Sequence, residues 1–343
     1  MRLICIEEHA TDAAIDKAAR PGILAEAPYF GLMDTANAAS APRTPHRPTM
    51  VALPEALELA ADLGDGRIKH MDEQGIDMQV VSFGSIAQLA PPDQSVALTR
   101  AANNRLAEAI MANPDRLSGF AVLPWQDPQA AAAELDRSVS KLGLKGVLLI
   151  GRPGSTFLDD PKYAPVLKKL SDLNVPLYAH PGIPLPDVQR AYYTGFSNEV
   201  SAQLSLTGWG WHHEAGIHVV RLILSGAFEK YPALQIISGH WGEMVPFYLR
   251  RLDDTLPTNV TGLSRTITET YVNHVWVTPS GLFDLPHFQF IHTVIGADRI
   301  IWSVDYPYLT MDGTSEFITN LPVSDHDREK ITHLNAEKLF TLR

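Results

Sequence analysis

The feature that most constrains the fold of this chain is a repeated alternation between short apolar runs and longer amphipathic segments. Eight apolar runs are mostly aliphatic or β-branched and are bounded by Gly, Pro, Asp or Asn, as expected of strands buried on both faces. Strand followed by helix, repeated eight times, predicts a parallel (β/α)8 TIM barrel. The predicted strands are Arg2–His9, Met78–Gly84, Leu117–Pro124, Lys145–Gly151, Val175–Pro181, Leu234–His240, His274–Pro279 and Arg299–Asp305.

Helical patterns lie between these runs. A doubly wound open sheet is the alternative, but it usually has fewer strands and often a phosphate-binding glycine loop. No Gly-x-Gly-x-x-Gly follows a predicted strand, which favours the barrel. The predicted helices are Ser95–Asn113, Pro128–Leu142, Pro161–Leu173, Val219–Tyr231, Glu243–Leu256, Thr266–Asn273, Pro286–Ile295 and Asp325–Leu342.

Two long connections interrupt the alternation of strands and helices. They are residues 10–64 after the first strand and residues 182–217 after the fifth. Both leave the carboxyl end of a strand, where barrels build their active sites. Long loops in that position are more often lids and pocket walls than linkers, so we expect them to shape a site. No domain boundary is visible, and we predict one domain over residues 1–343.

Composition narrows the class of partner. The 343 residues are 45% hydrophobic, enough for a sizeable core, and carry a formal net charge of -11, which argues against nucleic acid as the main partner. The single cysteine, Cys5, excludes an internal disulfide and is expected to be a buried apolar residue of the first strand. No apolar run approaches a membrane span and no signal peptide is visible, so the predicted location is the cytoplasm.

Two polar residues end the first strand. Glu7 and His9 are two positions apart, so both side chains point the same way and Glu8 points the other way. Inside a barrel two such groups are costly unless they are paired or bind a metal. The alternative is a Glu–His ion pair on an exposed strand end.

Three later strands also end in side chains that bind metals or transfer protons. His180 closes the fifth strand, although a lone histidine there is more often structural. His240 closes the sixth strand between Gly239 and Gly242, and Glu243 in the first turn of the next helix can orient it or act as a helix-start carboxylate.

Asp305 closes the eighth strand as a capping group, or as a metal ligand that also carries a proton. The four strand ends together indicate one divalent-metal site. Nearby, His212 and His213 could reach the site, but they are expected to pack in the surface or lid. Of the consecutive Arg250 and Arg251, one is expected to face solvent and the other could reach a substrate carboxylate.

Several motifs in this order resemble the amidohydrolase superfamily, and within it the metal-dependent decarboxylases of the dihydroxybenzoate, or γ-resorcylate, type. The resemblance spans nearly the whole chain. The motifs are Glu7-Glu8-His9, Ala179-His180-Pro181, Arg221-Leu222-Ile223-Leu224-Ser225-Gly226, Gly239-His240-Trp241-Gly242-Glu243, Arg250-Arg251-Leu252-Asp253, Ser303-Val304-Asp305-Tyr306-Pro307 and Asn335-Ala336-Glu337-Lys338-Leu339-Phe340.

The resemblance implies a role for each matching residue. The metal ligands are then Glu7, His9, His180 and Asp305, His240 is an acid–base residue supported by Glu243, and Arg251 meets the substrate carboxylate. The first motif is Glu-x-His where hydrolytic relatives have His-x-His. The fourth strand ends Leu149-Ile150-Gly151, without a lysine that could be carbamylated to bridge two metals. One divalent ion is therefore expected, zinc or manganese.

The reaction implied by the resemblance is non-oxidative decarboxylation of an ortho-hydroxybenzoate to a phenol and CO2. An ionised ortho hydroxyl pushes electrons into the ring, and carbon 1 accepts a proton from Asp305 before CO2 leaves. His240 with Glu243 handles the phenol proton or relays a proton to Asp305. The alternatives are a related hydrolase, a hydratase or an aminomuconate-semialdehyde-type decarboxylase, and a non-catalytic metal- or ligand-binding barrel. The resemblance also implies a small aromatic carboxylate as partner and a homodimer or homotetramer.

Overall fold

Parallel strands form the centre of the structure, which is a computed structural model that describes residues 1–32 and 44–342. One sheet has the order β1-β2-β3 and the other β4-β5-β6-β7, and every neighbouring pair is parallel. The first seven predicted strands are therefore confirmed, although most are shorter than predicted. They are β1 Ile4–Ala10, β2 Met78–Phe83, β3 Leu117–Gly119, β4 Val147–Ile150, β5 Leu177–His180, β6 Ile236–Ser238 and β7 Val275–Val277.

Backbone hydrogen bonds join the two sheets at both seams. At the first, Leu148 N donates to Ala121 O at 3.1 Å. At the second, Ile301 N donates to Val277 O at 3.0 Å, and Ile6 N donates to Trp302 O at 3.1 Å. Residues 300–302 therefore lie between β7 and β1, where the eighth strand of a barrel belongs. This is the (β/α)8 arrangement that the alternation predicts.

The predicted eighth strand, Arg299–Asp305, is not a regular strand. Residues Ala297–Arg299 form a 3-10 turn, and only Ile300 makes a bridge, to Val277. The physical reason is that the backbone N–H groups of Val304 and Tyr306 donate to the buried Glu8 carboxylate, at 2.9 and 3.2 Å. These donors are consequently not available to a strand ladder.

The core has two layers. Alternate residues of the strands fill the barrel interior, whereas the other face of each strand packs against the surrounding helices. Cys5 is buried in that outer layer, as predicted. The interior cluster comprises Ile4, Ile6, Met78, Val80, Phe120, Leu148, Ile150, Tyr178, Ile237, Trp276, Ile301, Ala336 and Phe340.

Helices surround the strands and also occupy both long connections. The described helices are α1 Ala13–Glu26, α2 Leu53–Ala61, α3 Asp65–Gln74, α4 Pro92–Ala112, α5 Pro128–Ser140, α6 Ala164–Leu173, α7 Pro186–Tyr192, α8 Asn198–Ser205, α9 Gly210–Leu224, α10 Ala227–Lys230, α11 Val245–Thr255, α12 Thr258–Thr261, α13 Ile267–His274, α14 Leu285–Ile295, α15 Thr314–Thr319, α16 Asp325–Glu329 and α17 Asn335–Phe340.

The largest differences from the predicted helices lie in three places. The connection after β1 holds α1 and α2, but its residues 33–43 lie outside the described part of the chain. The connection after β5 holds α7, α8 and the start of α9. The predicted helix Asp325–Leu342 is divided by a π-helical turn, Lys330–Leu334.

Across the residues that the structure describes, every helix is too short or too polar to cross a lipid bilayer. The organisation of residues 1–343 as one domain stays a prediction.

Candidate metal centre

A register shift in β1 decides which of its carboxylates faces the barrel interior. Ile4 and Ile6 belong to the interior cluster, so strict alternation would also turn Glu8 inward. The pairing of β1 with β2 shifts between Cys5 and Glu8, which is a bulge-like irregularity. Beyond the shift, Glu7 and His9 share the interior site, whereas Glu8 accepts the N–H groups of Val304 and Tyr306.

Hydroxyl groups hold one oxygen of Glu7 and leave the other oxygen free. Ser303 and Thr278 donate to Oε2 at 3.1 and 3.2 Å, and the Ser280 hydroxyl also donates to it. Oε1 is buried and has no hydrogen-bond partner among the described residues. Glu7 therefore presents one unpaired carboxylate oxygen to the interior.

His180 presents a ring nitrogen in the same way. Its Nδ1 donates to the carbonyl of Pro181 at 2.8 Å, which leaves the lone pair on Nε2. Nε2 is buried without a hydrogen-bond partner in the described chain and lies 3.7 Å from Oε1 of Glu7. Burial lowers the pKa of His180 to about 3, so the imidazole is neutral, as a metal ligand must be.

His9 and Asp305 complete the group. Nε2 of His9 lies 3.1 Å from Oδ1 of Asp305, without the geometry of a hydrogen bond. Asp305 has a positive φ of 72°, which turns its side chain inward after the last bridge. One ligand atom from each of Glu7, His9, His180 and Asp305 lies within 4.8 Å of the other three.

These four residues fit a divalent cation. Unpaired buried polar atoms are rare in folded proteins because each costs about 1–3 kcal/mol, yet Glu7 Oε1, His9 Nε2 and His180 Nε2 converge without hydrogen bonds among the described residues. Two imidazole nitrogens and two carboxylate oxygens suit zinc or manganese. Burial raises the pKa of Glu7, and a bound cation would favour its ionised form.

A hydrogen-bonded pair, His240 and Glu243, lies beside this group. Nδ1 of His240 donates to Oε1 of Glu243 at 2.6 Å, and Nε2 of His240 lies 3.9 Å from Oδ2 of Asp305. The predicted role of Glu243 as an orienting partner for His240 therefore has a direct contact to support it.

The local backbone around this pair differs from the predicted helix start. Residues 240–244 all have positive φ, and α11 begins only at Val245. A left-handed turn, rather than the first turn of a helix, brings Glu243 back onto His240.

The charges of the pair are coupled to Asp305. Burial alone would lower the pKa of His240, but the charge of Glu243, the hydrogen bond to Glu243 and the nearby carboxylate of Asp305 raise it well above its usual value. Burial alone would raise the pKa of Asp305, but the adjacent imidazoles of His240 and His9 hold it well below its usual value. Both shifts favour a protonated His240 next to an ionised Asp305.

Sequence reasoning missed several residues of the site. Thr278, Ser280 and Ser303 hold Glu7, and their signal was a set of hydroxyl residues at the ends of the last two predicted strands. His212 takes the alternative to its expected packing in the surface or lid and reaches the site, because its Nδ1 lies 3.0 Å from Oε2 of Glu243. His213, by contrast, is exposed as expected.

Arg251 does not join these residues in the structure. It lies exposed on α11, and no hydrogen bond or ion pair connects its guanidinium to another described residue. Its role as a substrate contact stays a prediction.

A buried arginine, Arg152, follows β4 and lines a cavity of about 150 Å3 at the same end of the barrel. Glu214 and the carbonyl groups of Gly154 and Ile183 accept its guanidinium donors. The charge of Arg152 is consequently balanced by Glu214, and its guanidinium holds these segments of the chain together.

Comparisons with known proteins agree with this geometry. The model of a family described as Amidohydrolase matches residues 44–342. The γ-resorcylate decarboxylase of Polaromonas sp. is 36% identical over 301 residues, which are 84% of this chain and 90% of that protein. The protein named decarboxylase orsB of Emericella nidulans is 34% identical over 301 residues, which are 85% of this chain and 89% of that protein.

A solved structure is similar over nearly the whole chain. The crystal structure of a dihydroxybenzoic acid decarboxylase from Polaromonas sp., with bound manganese and the inhibitor 2-nitroresorcinol, has a TM-score of 0.83 and 31% identity. The match covers 99% of this chain and 97% of that one. The family model and the relatives each span most of the chain, so this protein belongs to the amidohydrolase family, in its branch of metal-dependent decarboxylases.

Proposed function

We propose that this chain is a carboxy-lyase that decarboxylates an ortho-hydroxybenzoate of the dihydroxybenzoate type to a phenol and CO2, with one divalent metal ion. The observation that carries the proposal is the convergence of four ligand atoms from Glu7, His9, His180 and Asp305 within 4.8 Å, with His240 beside them. Relatives that share a third of its sequence act on small aromatic carboxylates, and one binds manganese.

Each residue has a role in this reaction. When bound, a divalent cation supplies Lewis acidity toward the hydroxyl and carboxylate of the substrate and orients both. Asp305 delivers a proton to the ring carbon that carries the carboxylate. The bond between that carbon and the carboxylate then breaks, and CO2 leaves. The electron pair of the broken bond restores the aromatic ring.

His240 supplies the proton that Asp305 transfers to the ring carbon. The raised pKa of His240 favours its protonated form, and its Nε2 lies 3.9 Å from Oδ2 of Asp305, a separation that a small shift of either side chain closes. Glu243 holds Nδ1 of His240 at 2.6 Å, which fixes the ring toward Asp305. The phenol proton of the substrate restores the charge on His240, and one proton from solvent converts the departing phenolate to the phenol, so the proton count balances over the cycle.

The test is product analysis with a panel of ortho-hydroxybenzoates that includes 2,6-dihydroxybenzoate. We expect headspace CO2 and one equivalent of the matching phenol, with activity lost after chelation and restored by Mn2+. Full turnover after rigorous metal removal would overturn the metal requirement. Incorporation of heavy oxygen from labelled water into the product would instead indicate hydrolysis or hydration.

We also propose that the chain forms a homo-oligomer. Phe247 and Tyr248 of α11 and Phe290 of α14 form an aromatic cluster with ring separations of 5.4 and 5.7 Å, and Phe247 is 71% exposed. The exposed Arg250 and Arg251 follow Phe247 by three and four positions, so they share its face of the helix. An aromatic and basic patch suits a second copy of a chain whose net charge is -11.

The test of the oligomer is sedimentation of Phe247→Glu beside a control, Met111→Glu, at a methionine that is 72% exposed on α4. We expect smaller particles for Phe247→Glu only. A monomeric parent, or unchanged assembly of Phe247→Glu, would contradict the proposal. The predicted cytoplasmic location and the predicted absence of a nucleic-acid partner stay predictions.

A further inference from the structure

We infer that His212 is a positioning residue for the His240–Glu243 pair, and that through it α9 holds the acid–base group in place. The inference rests on the proposed function, because it assigns a role within the same site. His212 lies in the first turn of α9, in the segment that follows β5.

Glu243 is clamped between two imidazoles. Its side chain is 1% exposed, Oε1 accepts from Nδ1 of His240 at 2.6 Å, and Oε2 accepts from Nδ1 of His212 at 3.0 Å. The two rings lie 4.4 Å apart at 69°. Without His212, Oε2 would lose this donor and the carboxylate could rotate away from His240.

The orientation of His212 is itself fixed on its far side. Its Nε2 lies 3.3 Å from the indole Nε1 of Trp211, which donates to it, and 3.0 Å from the carbonyl oxygen of Thr207. A neutral ring accepts from Trp211, and a charged ring donates to Thr207. Nε2 thus has a partner in either protonation state, and Nδ1 faces Glu243 in both.

Helix α9 packs directly against the turn that carries Glu243. Gly216 is one turn after His212 on the same face, and a Cβ built there would lie 2.5 Å from the carbonyl oxygen of Glu243. This close approach sets the helix directly against the turn, so the imidazole of His212 arrives at a defined distance. His213 points to solvent and makes no side-chain contact with Glu243.

The experiment measures kcat and KM for 2,6-dihydroxybenzoate with the manganese-loaded enzyme and His212→Leu, His212→Asn and His213→Leu. Loss of a partner that orients an active group typically costs 10–100-fold in activity, so we expect kcat of His212→Leu to fall about 10–100-fold with KM within about threefold. The Asn side chain places an N–H near the position of Nδ1, so His212→Asn should recover most of kcat. His213→Leu is the matched control and should behave as the parent.

Two further measurements separate the possible failures. Manganese content and melting temperature are compared for all variants, because equal losses in His212→Leu and His212→Asn with lowered metal content would mean a general structural role and overturn the inference. The 15N resonance of His240 Nδ1 is recorded as well. If the parent turns over no hydroxybenzoate, the proposed function fails, and the inference is decided by whether that resonance moves in His212→Leu and not in His213→Leu.

Discussion

At the scale of single residues, the site depends on which atoms are left without partners. Oε2 of Glu7 accepts from hydroxyl groups, whereas Oε1 has no partner among the described residues. His180 divides its ring in the same manner, with Nδ1 bound to a carbonyl and Nε2 free. In each case a second group holds the side chain so that the remaining atom points inward, which is how ligands of catalytic metals are oriented.

Ser280 offers a test of this orientation. Replacing Ser280 with Ala removes one donor from Oε2 of Glu7 and leaves those of Thr278 and Ser303. We expect the affinity for Mn2+ to fall about 10–100-fold, as is typical when an outer partner of a ligand is lost. Titration calorimetry of the metal-free chain measures this affinity.

Ser140 is the matched control for that substitution, because it is exposed at the end of α5, which leads to the amino end of β4. Ser140→Ala should keep the parental affinity. An unchanged affinity in Ser280→Ala would mean that the hydroxyl does not orient Glu7.

Asp305 carries the proton in the proposed reaction, so its substitution should act on the chemical step. Asp305→Asn keeps the size and an oxygen but cannot deliver an acidic proton, and we expect kcat to fall about 100- to 10,000-fold. The measurement is CO2 release by enzyme whose manganese content has been verified. Asp325→Asn, at a side chain that is fully exposed on α16, is the control. A parental rate in metal-loaded Asp305→Asn would exclude the proton-donor role.

At the scale of elements, the left-handed turn after β6 determines how the proposed acid–base pair, His240 and Glu243, meets the proposed metal ligands. Residues 240–244 all have positive φ. Only Gly242 adopts such values without strain, whereas the left-handed backbone costs each other residue about 1–2 kcal/mol of conformational free energy. Gly239 lets β6 approach Glu7 closely, because a Cβ there would lie 2.8 Å from Oε1 of Glu7. Strain of this kind persists at functional sites where the surrounding packing imposes it.

Helix α9 also carries the buried imidazole of His218, whose contacts are structural. His218 accepts the N–H of Leu158 with Nε2 at 3.2 Å and packs against the ring of Phe157. Burial lowers its pKa to about 3, Asp159 opposes the shift, and Arg152 and Arg221 add to it. The folded state therefore binds this proton less tightly than the unfolded state does.

The sign of the pH effect follows from that difference. The contribution of the neutral His218 to folding stability is fully present above the ordinary histidine pKa of 6.5 and is lost as the pH falls toward 3. The loss between about pH 7 and about pH 5 is about 2 kcal/mol. Melting temperatures over this range should fall less in His218→Gln, whose amide can accept from Leu158 but does not titrate. His213→Gln is the exposed control, and equal slopes in the parent and His218→Gln would contradict this account.

At the scale of the whole molecule, the barrel brings two carboxylates, Glu7 and Asp305, together at one end of a chain whose formal net charge is -11. A cation that binds only the folded state stabilises it by mass action, by about 2.7 kcal/mol at 100 times its dissociation constant. We therefore expect chelation to lower the melting temperature and Mn2+ to raise it again, in a calorimetric scan of the parent. His180→Ala should lack this response, and a parental response in that variant would place the metal elsewhere.

Much of this architecture could be predicted from the pattern of residues. Buried strands, their order and the polar residues at their ends are local features, so the alternation predicts the barrel, and Glu7, His9, His180 and Asp305 meet at one end as expected. The eighth strand could not be predicted correctly, because Glu8, nearly 300 positions away in the chain, takes the backbone donors of Val304 and Tyr306.

The sequence by itself determined the class of fold and the residue types available at each strand end, since both depend on periodicity and local chemistry. Only the tertiary structure decided which atoms face each other. A register shift turns Glu7 rather than Glu8 into the interior, hydroxyls of two distant segments leave one of its oxygens free, and α9 brings His212 onto Glu243. These outcomes depend on contacts between segments far apart in the chain, and such contacts form only when the barrel closes.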